Sequence, residues 1–354
     1  MIAARRPDNP GMSANKPWRV FRFDFWIDPV FNQRMAEAGN VDLQVAKRGD
    51  DATAWAMLAD AHVYQISAAK NELAKPFHAH EALLARCPKL LCVSSGGAGF
   101  DTVDVAACTK AGVAVVNQSG GNADAVAEMT LGLMLAVARR IVECDRKLRA
   151  ERGFPRESLM GRDLRGRTLG IVGIGNAGRR VAKLAEAFGM RVLATDPFVA
   201  PGEIRARGAE PVSLDALVRE ADVASLHCPR DATTMNMFDA RRFAAMKKGA
   251  YFITTARGGI HDEAALAEAL RSGHLAGAGL DVWEPEPPAL DSPLLALPNV
   301  VATYHTAGVS EGARYNVARM GAEQIAGFLR GERPPRLVNP EVWPAVEKRL
   351  AKSN

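Results

Sequence analysis

The chain has 354 residues, 48% hydrophobic and 24% charged, with a formal net charge of +5. This is a soluble globular composition with room for about two domains. No apolar run reaches the roughly 18 residues that a membrane span needs. The basic residues are scattered among acids, without a run or an interleaved aromatic set, so the charge reads as a solvated surface rather than a nucleic-acid footprint.

The first fifteen residues contain Arg5, Arg6 and two prolines with no apolar run behind them, and read as a disordered leader rather than a signal peptide. A strand is predicted over Trp18–Trp26, a helix over Pro29–Ala38 and a strand over Asp42–Ala46. A helix near Thr53–Leu58, a strand over His62–Ile66, a helix near Glu81–Arg86 and a buried strand over Leu90–Val93 follow. This alternation predicts an α/β lobe on a parallel sheet. Its last strand opens into Ser94-Ser95-Gly96-Gly97-Ala98-Gly99, a glycine cluster that is either a carboxylate cradle or a plain turn.

Val113–Asn117 reads as a further strand and Gln118–Asn122 as a polar link. One long helix is expected from Ala123 to about Arg149. Its run Val126, Met129, Thr130, Leu133, Met134 and Val137 is apolar on nearly every side, so it should be buried, within the fold or against a second subunit.

Leu169 to Val172 is a short apolar strand that turns on Gly173, Gly175 and Gly178 into a helix reaching about Phe188. Such a turn aims free backbone N–H groups and the positive end of a helix dipole at one spot, which suits a diphosphate. The next strand, Arg191–Thr195, ends in Asp196. An acid there accepts hydrogen bonds from ribose hydroxyls and repels a 2′-phosphate, which predicts NAD rather than NADP.

The alternation continues through helices at Val212–Val218, Ala240–Met246 and Asp262–Ser272 and strands at Val223–Leu226, Ala250–Thr255, Gly277–Val282 and Val300–Tyr304. These strands end in Cys228-Pro229, Arg257, Asp281 and His305. Strand ends of an open parallel sheet share one edge, the ligand crevice. A helix from Glu311 to about Arg330 should return to the first lobe, with the tail through Pro340 packed there.

Three of those ends carry chemistry. Arg257, in Thr254-Thr255-Ala256-Arg257-Gly258-Gly259, can grip a 2-oxo acid with two prongs. His305 can supply a proton near neutral pH, and a neighbouring carboxylate would fix its tautomer. Glu284 and Glu286 share the loop after Asp281, and spacing does not choose between them. The five cysteines, Cys87, Cys92, Cys108, Cys144 and Cys228, are odd in number and form no metal or redox spacing. They read as reduced thiols in a cytoplasmic protein, and no metal site is expected.

These motifs together resemble the D-isomer-specific 2-hydroxyacid dehydrogenase family. They are Gly-Ala-Gly-Phe-Asp-Thr-Val-Asp (97–104), Gly-Asn-Ala-Asp-Ala-Val-Ala-Glu (121–128), the glycine turn, Leu-His-Cys-Pro (226–229), Thr-Ala-Arg-Gly-Gly (255–259), Leu-Asp-Val-Trp-Glu-Pro-Glu-Pro (280–287) and His305. The resemblance implies two Rossmann-like lobes with a cleft between them. The substrate lobe would be discontinuous, residues 1–121 and 307–354, around an NAD-binding lobe of 122–306. It also implies a homodimer, and it selects Glu286 over Glu284 as the partner of His305.

By the same resemblance, Gly97, Ala98 and Gly99 hold the substrate carboxylate, and Asp281 meets the nicotinamide carboxamide. Gly173, Gly175, Asn176, Ala177 and Gly178 meet the diphosphate, Cys228 and Pro229 line the adenosine side, and Thr255 and Ala256 complete the cofactor contacts. The expected activity is the NAD-dependent interconversion of a small 2-oxo acid and its D-2-hydroxy acid. Tyr64-Gln65-Ile66-Ser67 lacks the arginine of phosphoglycerate-specific members, which argues against a phosphorylated substrate. An NAD(H)-sensing scaffold like the family's transcriptional corepressors, which keep the same three residues, is the alternative.

Overall fold

The computed structural model describes residues 16–353, so the leader expected over the first fifteen lies outside the described residues. Two compact units emerge: one runs through Gly121 and resumes at Arg314, and the other spans Asn122–Ala313.

The first unit follows a strand–helix rhythm: β1 (Trp18–Phe23), α1 (Val30–Glu37), β2 (Val41–Ala46), α2 (Asp51–Ala59), β3 (Val63–Ile66), α3 (Glu81–Arg86), β4 (Cys92–Ser95), α4 (Val105–Lys110) and β5 (Ala114–Val116). The strands form a parallel sheet in the order β2-β1-β3-β4-β5. Side chains alternate across it: Phe21, Tyr64, Val93 and Val115 feed one core, and Val20, Val63, Cys92 and Ala114 feed the other. A sheet buried on both faces explains why every residue of β3 and β4 is buried, Gln65 and the serines included.

The second unit begins with two helices, α5 (Ala123–Ala138) and α6 (Ile141–Ala150), where one was expected. The break falls at Arg140, whose φ of 52° lies in the left-handed region. Arg162 N donates to Ala138 O at 2.8 Å, so the returning chain takes a carbonyl that a continuous helix would have used. Arg140 itself is tied to Glu143 (2.6 and 2.8 Å) and to Ser158 O (2.8 Å). Only α5 is the buried helix foreseen, with Leu131, Leu133 and Met134 in the core; α6 buries no residue.

Then come β6 (Thr168–Val172), α7 (Asn176–Ala187), β7 (Arg191–Thr195), α8 (Pro201–Ala206), β8 (Glu210–Pro211), α9 (Leu214–Glu220), β9 (Val223–Leu226), α10 (Ala240–Ala245), β10 (Tyr251–Thr254), α11 (Glu263–Arg271), β11 (Gly277–Leu280), α12 (Pro293–Ala296) and β12 (Val300–Ala302). Their parallel sheet has the order β12-β11-β10-β9-β6-β7-β8. Chain direction across the sheet reverses at β6, which pairs with β7 on one side and β9 on the other. Loops leaving β6 and β9 therefore part there and open a crevice at the strand ends. Acids start the helices: Asp239 accepts from Arg242 N at 2.9 Å, and Asp262 from Ala264 N and Ala265 N at 2.9 and 3.0 Å. Each such cap is worth about 1 kcal/mol.

Helix α13 (Glu311–Leu329), from Arg314 onward, and α14 (Trp343–Ser353) complete the first unit. Asn339 fastens the chain between them, accepting from Val115 N at 2.8 Å and donating to Val113 O at 3.1 Å. No helix among the described residues is long and apolar enough to cross a membrane.

Candidate active site

The glycine turn forms as the motif requires. Gly173 has φ +90°, and a Cβ there would sit 2.8 Å from Cys228 N. A Cβ on Gly178 would overlap Gly173 O, so the first turn of α7 presses directly on the loop and only hydrogen fits. Helix α7 receives no side-chain bond from its N-cap, Gly175, and turns the positive end of its dipole to the glycine turn. Asn176, Ala177 and the open-sided Gly175 stand at that end.

Asp196 follows β7, and its carboxylate accepts from Ile174 N and Phe198 N, both at 3.0 Å. It thus pins the turn. Cys228 packs against the turn; burial pushes its thiol up to about 11, so it stays neutral. The turn, the helix start and the acid together fit a dinucleotide.

Beyond β10, Thr255 is buried against Thr130, hydroxyl to hydroxyl at 3.1 Å, and Ala256 is 7% exposed. Arg257 is half-buried, and its Nη1 donates to Ala256 O at 2.7 Å. A Cβ on the next residue, Gly258, would overlap Trp283 O. That close approach holds the arginine loop against the loop after β11.

On this second loop the structure separates the two glutamates. Glu286 Oε1 lies 2.7 Å from His305 Nδ1. Glu284 instead pairs with Arg230, which also reaches Gly258 O at 3.3 Å. A carboxylate at Nδ1 requires the proton on that nitrogen and leaves Nε2 to exchange one. Trp283, 3% exposed, anchors the loop by donating Nε1–H to Thr303 O at 3.0 Å.

Asp281 is fully buried, and its carboxylate serves the turn that carries the histidine. Oδ1 accepts from Thr303 Oγ1 (2.6 Å) and Thr306 N (2.8 Å), Oδ2 accepts from Ala307 N (2.9 Å), and Asp281 O accepts from His305 N (2.7 Å). His305 itself has φ +48°, unusual for a non-glycine residue, and this net of bonds keeps it there. The anchoring of the turn by Asp281 and the Arg230–Glu284 pair escaped sequence reasoning. The strand-end position of Asp281 was visible, but its direction was not.

Arg257, Glu286 and His305 thus lie on neighbouring strand-end loops of the second unit. Gly97, Ala98 and Gly99 lie in the first unit, just past β4. There Ser95 Oγ donates to Gly99 O (2.6 Å), Asn117 Nδ2 to Ala98 O (2.9 Å) and Gln118 N to Gly97 O (2.8 Å). These bonds engage all three carbonyls of the loop. No cluster of three or more potential metal ligands occurs among the described residues.

The profile described as "D-isomer specific 2-hydroxyacid dehydrogenase, NAD binding domain" matches residues 131–307. The chain belongs to the D-isomer specific 2-hydroxyacid dehydrogenase family. It is 42% identical over 258 residues to a glyoxylate reductase of Korarchaeum cryptofilum, covering 72% of this chain and 78% of that protein. It is 39% identical over 289 residues to a D-3-phosphoglycerate dehydrogenase of Archaeoglobus fulgidus, covering 78% of this chain but only 55% of that longer protein. Among solved structures, a glyoxylate reductase from Paecilomyes thermophila superimposes with a TM-score of 0.80 at 27% identity, over 92% of this chain and 99% of that one. Family membership makes NAD the cofactor of the second unit, in agreement with the glycine turn and Asp196.

Proposed function

We propose that this dehydrogenase interconverts a small, non-phosphorylated 2-oxo acid and its D-2-hydroxy acid. The 2.7 Å contact between His305 Nδ1 and Glu286 Oε1, on loops adjoining Arg257, carries this reading. Bound NAD supplies or takes up the hydride. The protein's residues do the rest. Arg257 pairs with the substrate carboxylate and polarises its carbonyl, with the N–H groups at Gly97, Ala98 and Gly99 as further carboxylate donors. His305 Nε2 gives a proton to the developing alkoxide in reduction and removes it in oxidation, while Glu286 stabilises the imidazolium.

Gly173, Gly175, Asn176, Ala177 and Gly178 hold the diphosphate and Asp196 the adenosine ribose. Cys228 and Pro229 flank the adenosine side, Thr255 and Ala256 meet the nicotinamide, and Asp281, its carboxylate engaged by Thr303, Thr306 and Ala307, serves that end of the site by holding the His305 turn. The discontinuous first unit is the substrate-binding lobe and the second the NAD-binding lobe, in a cytoplasmic homodimer.

The test is oxidation of NADH, with NADPH beside it, against glyoxylate, hydroxypyruvate, pyruvate, phenylpyruvate and branched-chain 2-oxo acids. Turnover with the D-hydroxy acid as product is expected. Silence across the panel with NADH still bound would overturn the enzyme reading in favour of an NAD(H)-sensing scaffold.

A further inference from the structure

The first unit has its own point of divergence. In the order β2-β1-β3-β4-β5 the chain moves outward one way from β1 to β2 and the other way from β3 to β5. Loops leaving the carboxyl ends of β1 and β3 must therefore part, and a crevice between such strands is where parallel sheets bind ligands. A pocket sits there, lined by Phe25 and Trp26 after β1, by Gln65 at the end of β3, by Gly96 after β4, and by Arg22 and Arg314. It adjoins the Gly97–Gly99 loop through Gly96.

The lining is polar in an uneven way. Gln65 is 7% exposed, yet its Oε1 has no hydrogen-bond partner. Buried amides are normally satisfied, so this acceptor marks a place for a donor such as a water, not for an anion. Arg22 has spent its terminal nitrogens on Phe23 O (2.9 Å), Phe25 O (3.2 Å) and Asn32 Oδ1 (3.4 Å).

Arg314, on the first turns of α13, is half-buried and forms no hydrogen bond or ion pair among the described residues. The two acids in the wall are engaged: Glu72 accepts from Ser67 Oγ at 2.6 Å and Asp28 from Val30 N at 3.0 Å. A half-buried guanidinium with no anion is the unfilled valence of this pocket.

We propose that this pocket is a side-chain subsite of the substrate, in which Arg314 takes a second carboxylate, so that the preferred substrate is a 2-oxo dicarboxylic acid of four or five carbons. The proposal rests on the reading above, in which the glycine loop beside Gly96 holds the first carboxylate. It also qualifies an argument from the sequence: β3 carries no strand-end arginine, but β1 and α13 bring two arginines to the same crevice. One guanidinium fork with free donors matches one planar carboxylate. A phosphate dianion would need more free donors than one guanidinium fork offers.

The experiment compares kcat/KM for oxaloacetate with 2-oxobutanoate and for 2-oxoglutarate with 2-oxopentanoate, with 3-phosphooxypyruvate as a further arm. The proteins are wild type, Arg314→Met, Arg314→Lys, and Arg319→Met as a control on the solvent side of α13. Wild type should favour each dicarboxylate by roughly ten-fold or more, the range of one charge-assisted hydrogen bond. The ratio should collapse to about one in Arg314→Met, recover in part in Arg314→Lys and stay put in Arg319→Met. A folding defect would lower both members of a pair and spare their ratio.

A wild type that turns over monocarboxylic 2-oxo acids with no dicarboxylate preference would overturn the subsite and leave the proposed function standing. So would preference for the phosphorylated acid. Absence of turnover on every 2-oxo acid would overturn the proposed function and this inference with it.

Discussion

Substitution of Asp281 by asparagine isolates the charge under the catalytic turn without changing its shape. Wild-type Oδ1 serves Thr303 Oγ1 and Thr306 N, and Oδ2 serves Ala307 N at 2.9 Å. Asparagine keeps one acceptor atom and turns an NH₂ against an N–H donor. Ala307 is 4% exposed, so water cannot take over the orphaned group. A lost charge-assisted bond costs about 1.5–3 kcal/mol and a stranded buried N–H about 1–3 kcal/mol, and the two overlap. We expect a net loss of about 2–4 kcal/mol, seen as a fall in melting temperature of roughly 4–15 °C for a domain of this size.

The catalytic effect should exceed that of a remote core defect, because the same bonds hold His305 at φ +48°. A displacement costing about 1.4 kcal/mol in the transition state lowers kcat ten-fold. The assay is kcat for 2-oxo acid reduction at saturating NADH, with melting curves in parallel. Thr303→Val, which removes one donor and leaves the carboxylate, should reproduce part of both losses. An Asp281→Asn protein with kcat within two-fold of wild type and an unchanged melting point would refute this account of the turn.

Three further outcomes are expected. Arg257→Ala should raise KM for the oxo acid and lower kcat by ten-fold or more while NADH affinity holds; lost NADH binding would mean that the arginine serves the cofactor instead. Asp196→Ala should lower the ratio of kcat/KM for NADH over NADPH about ten-fold, and an unchanged ratio would count against its place at the ribose. His261→Phe should flatten the acid side of the stability profile. Burial against the Phe252 ring, with neither ring nitrogen partnered, lowers His261 from 6.5 to about 4. Above pH 6.5 the imidazole is neutral folded or unfolded and costs nothing. Between 6.5 and 4 the unfolded chain takes a proton that the folded one refuses, so stability falls, by about 2 kcal/mol at pH 5. Urea unfolding at pH 7.5 and pH 5 should show that much less loss in the variant; an equal loss would place the proton elsewhere.

The features legible in the sequence were those set by local pattern. Apolar runs, glycine positions and the residue at each strand end fixed where β6, α7 and β7 lie and what they present. The single helix expected over Ala123–Arg149 failed for a non-local reason. Nothing between Ala138 and Ile141 breaks a helix, and the break at Arg140 comes from a chain that returns more than twenty residues later to bond Ala138 O. The choice between Glu284 and Glu286 had the same character. The two residues share a loop and a chemistry, and what parts them is Arg230, more than fifty residues away, which engages Glu284.

Asp281 shows why strand-end position alone does not assign a role. A residue at the last position of a parallel strand sits on the ligand edge, but its side chain points either up into the crevice or along the sheet to the next loop. Here Thr303, Thr306 and Ala307 supply three donors from the neighbouring strand's end, and a buried carboxylate is stable only where such donors converge. The donors come from backbone and a hydroxyl, which carry no sequence signature of their own. A sequence therefore shows which residues can reach an active-site edge, while the pairing of strands decides which of them meets the substrate and which holds its neighbour in place.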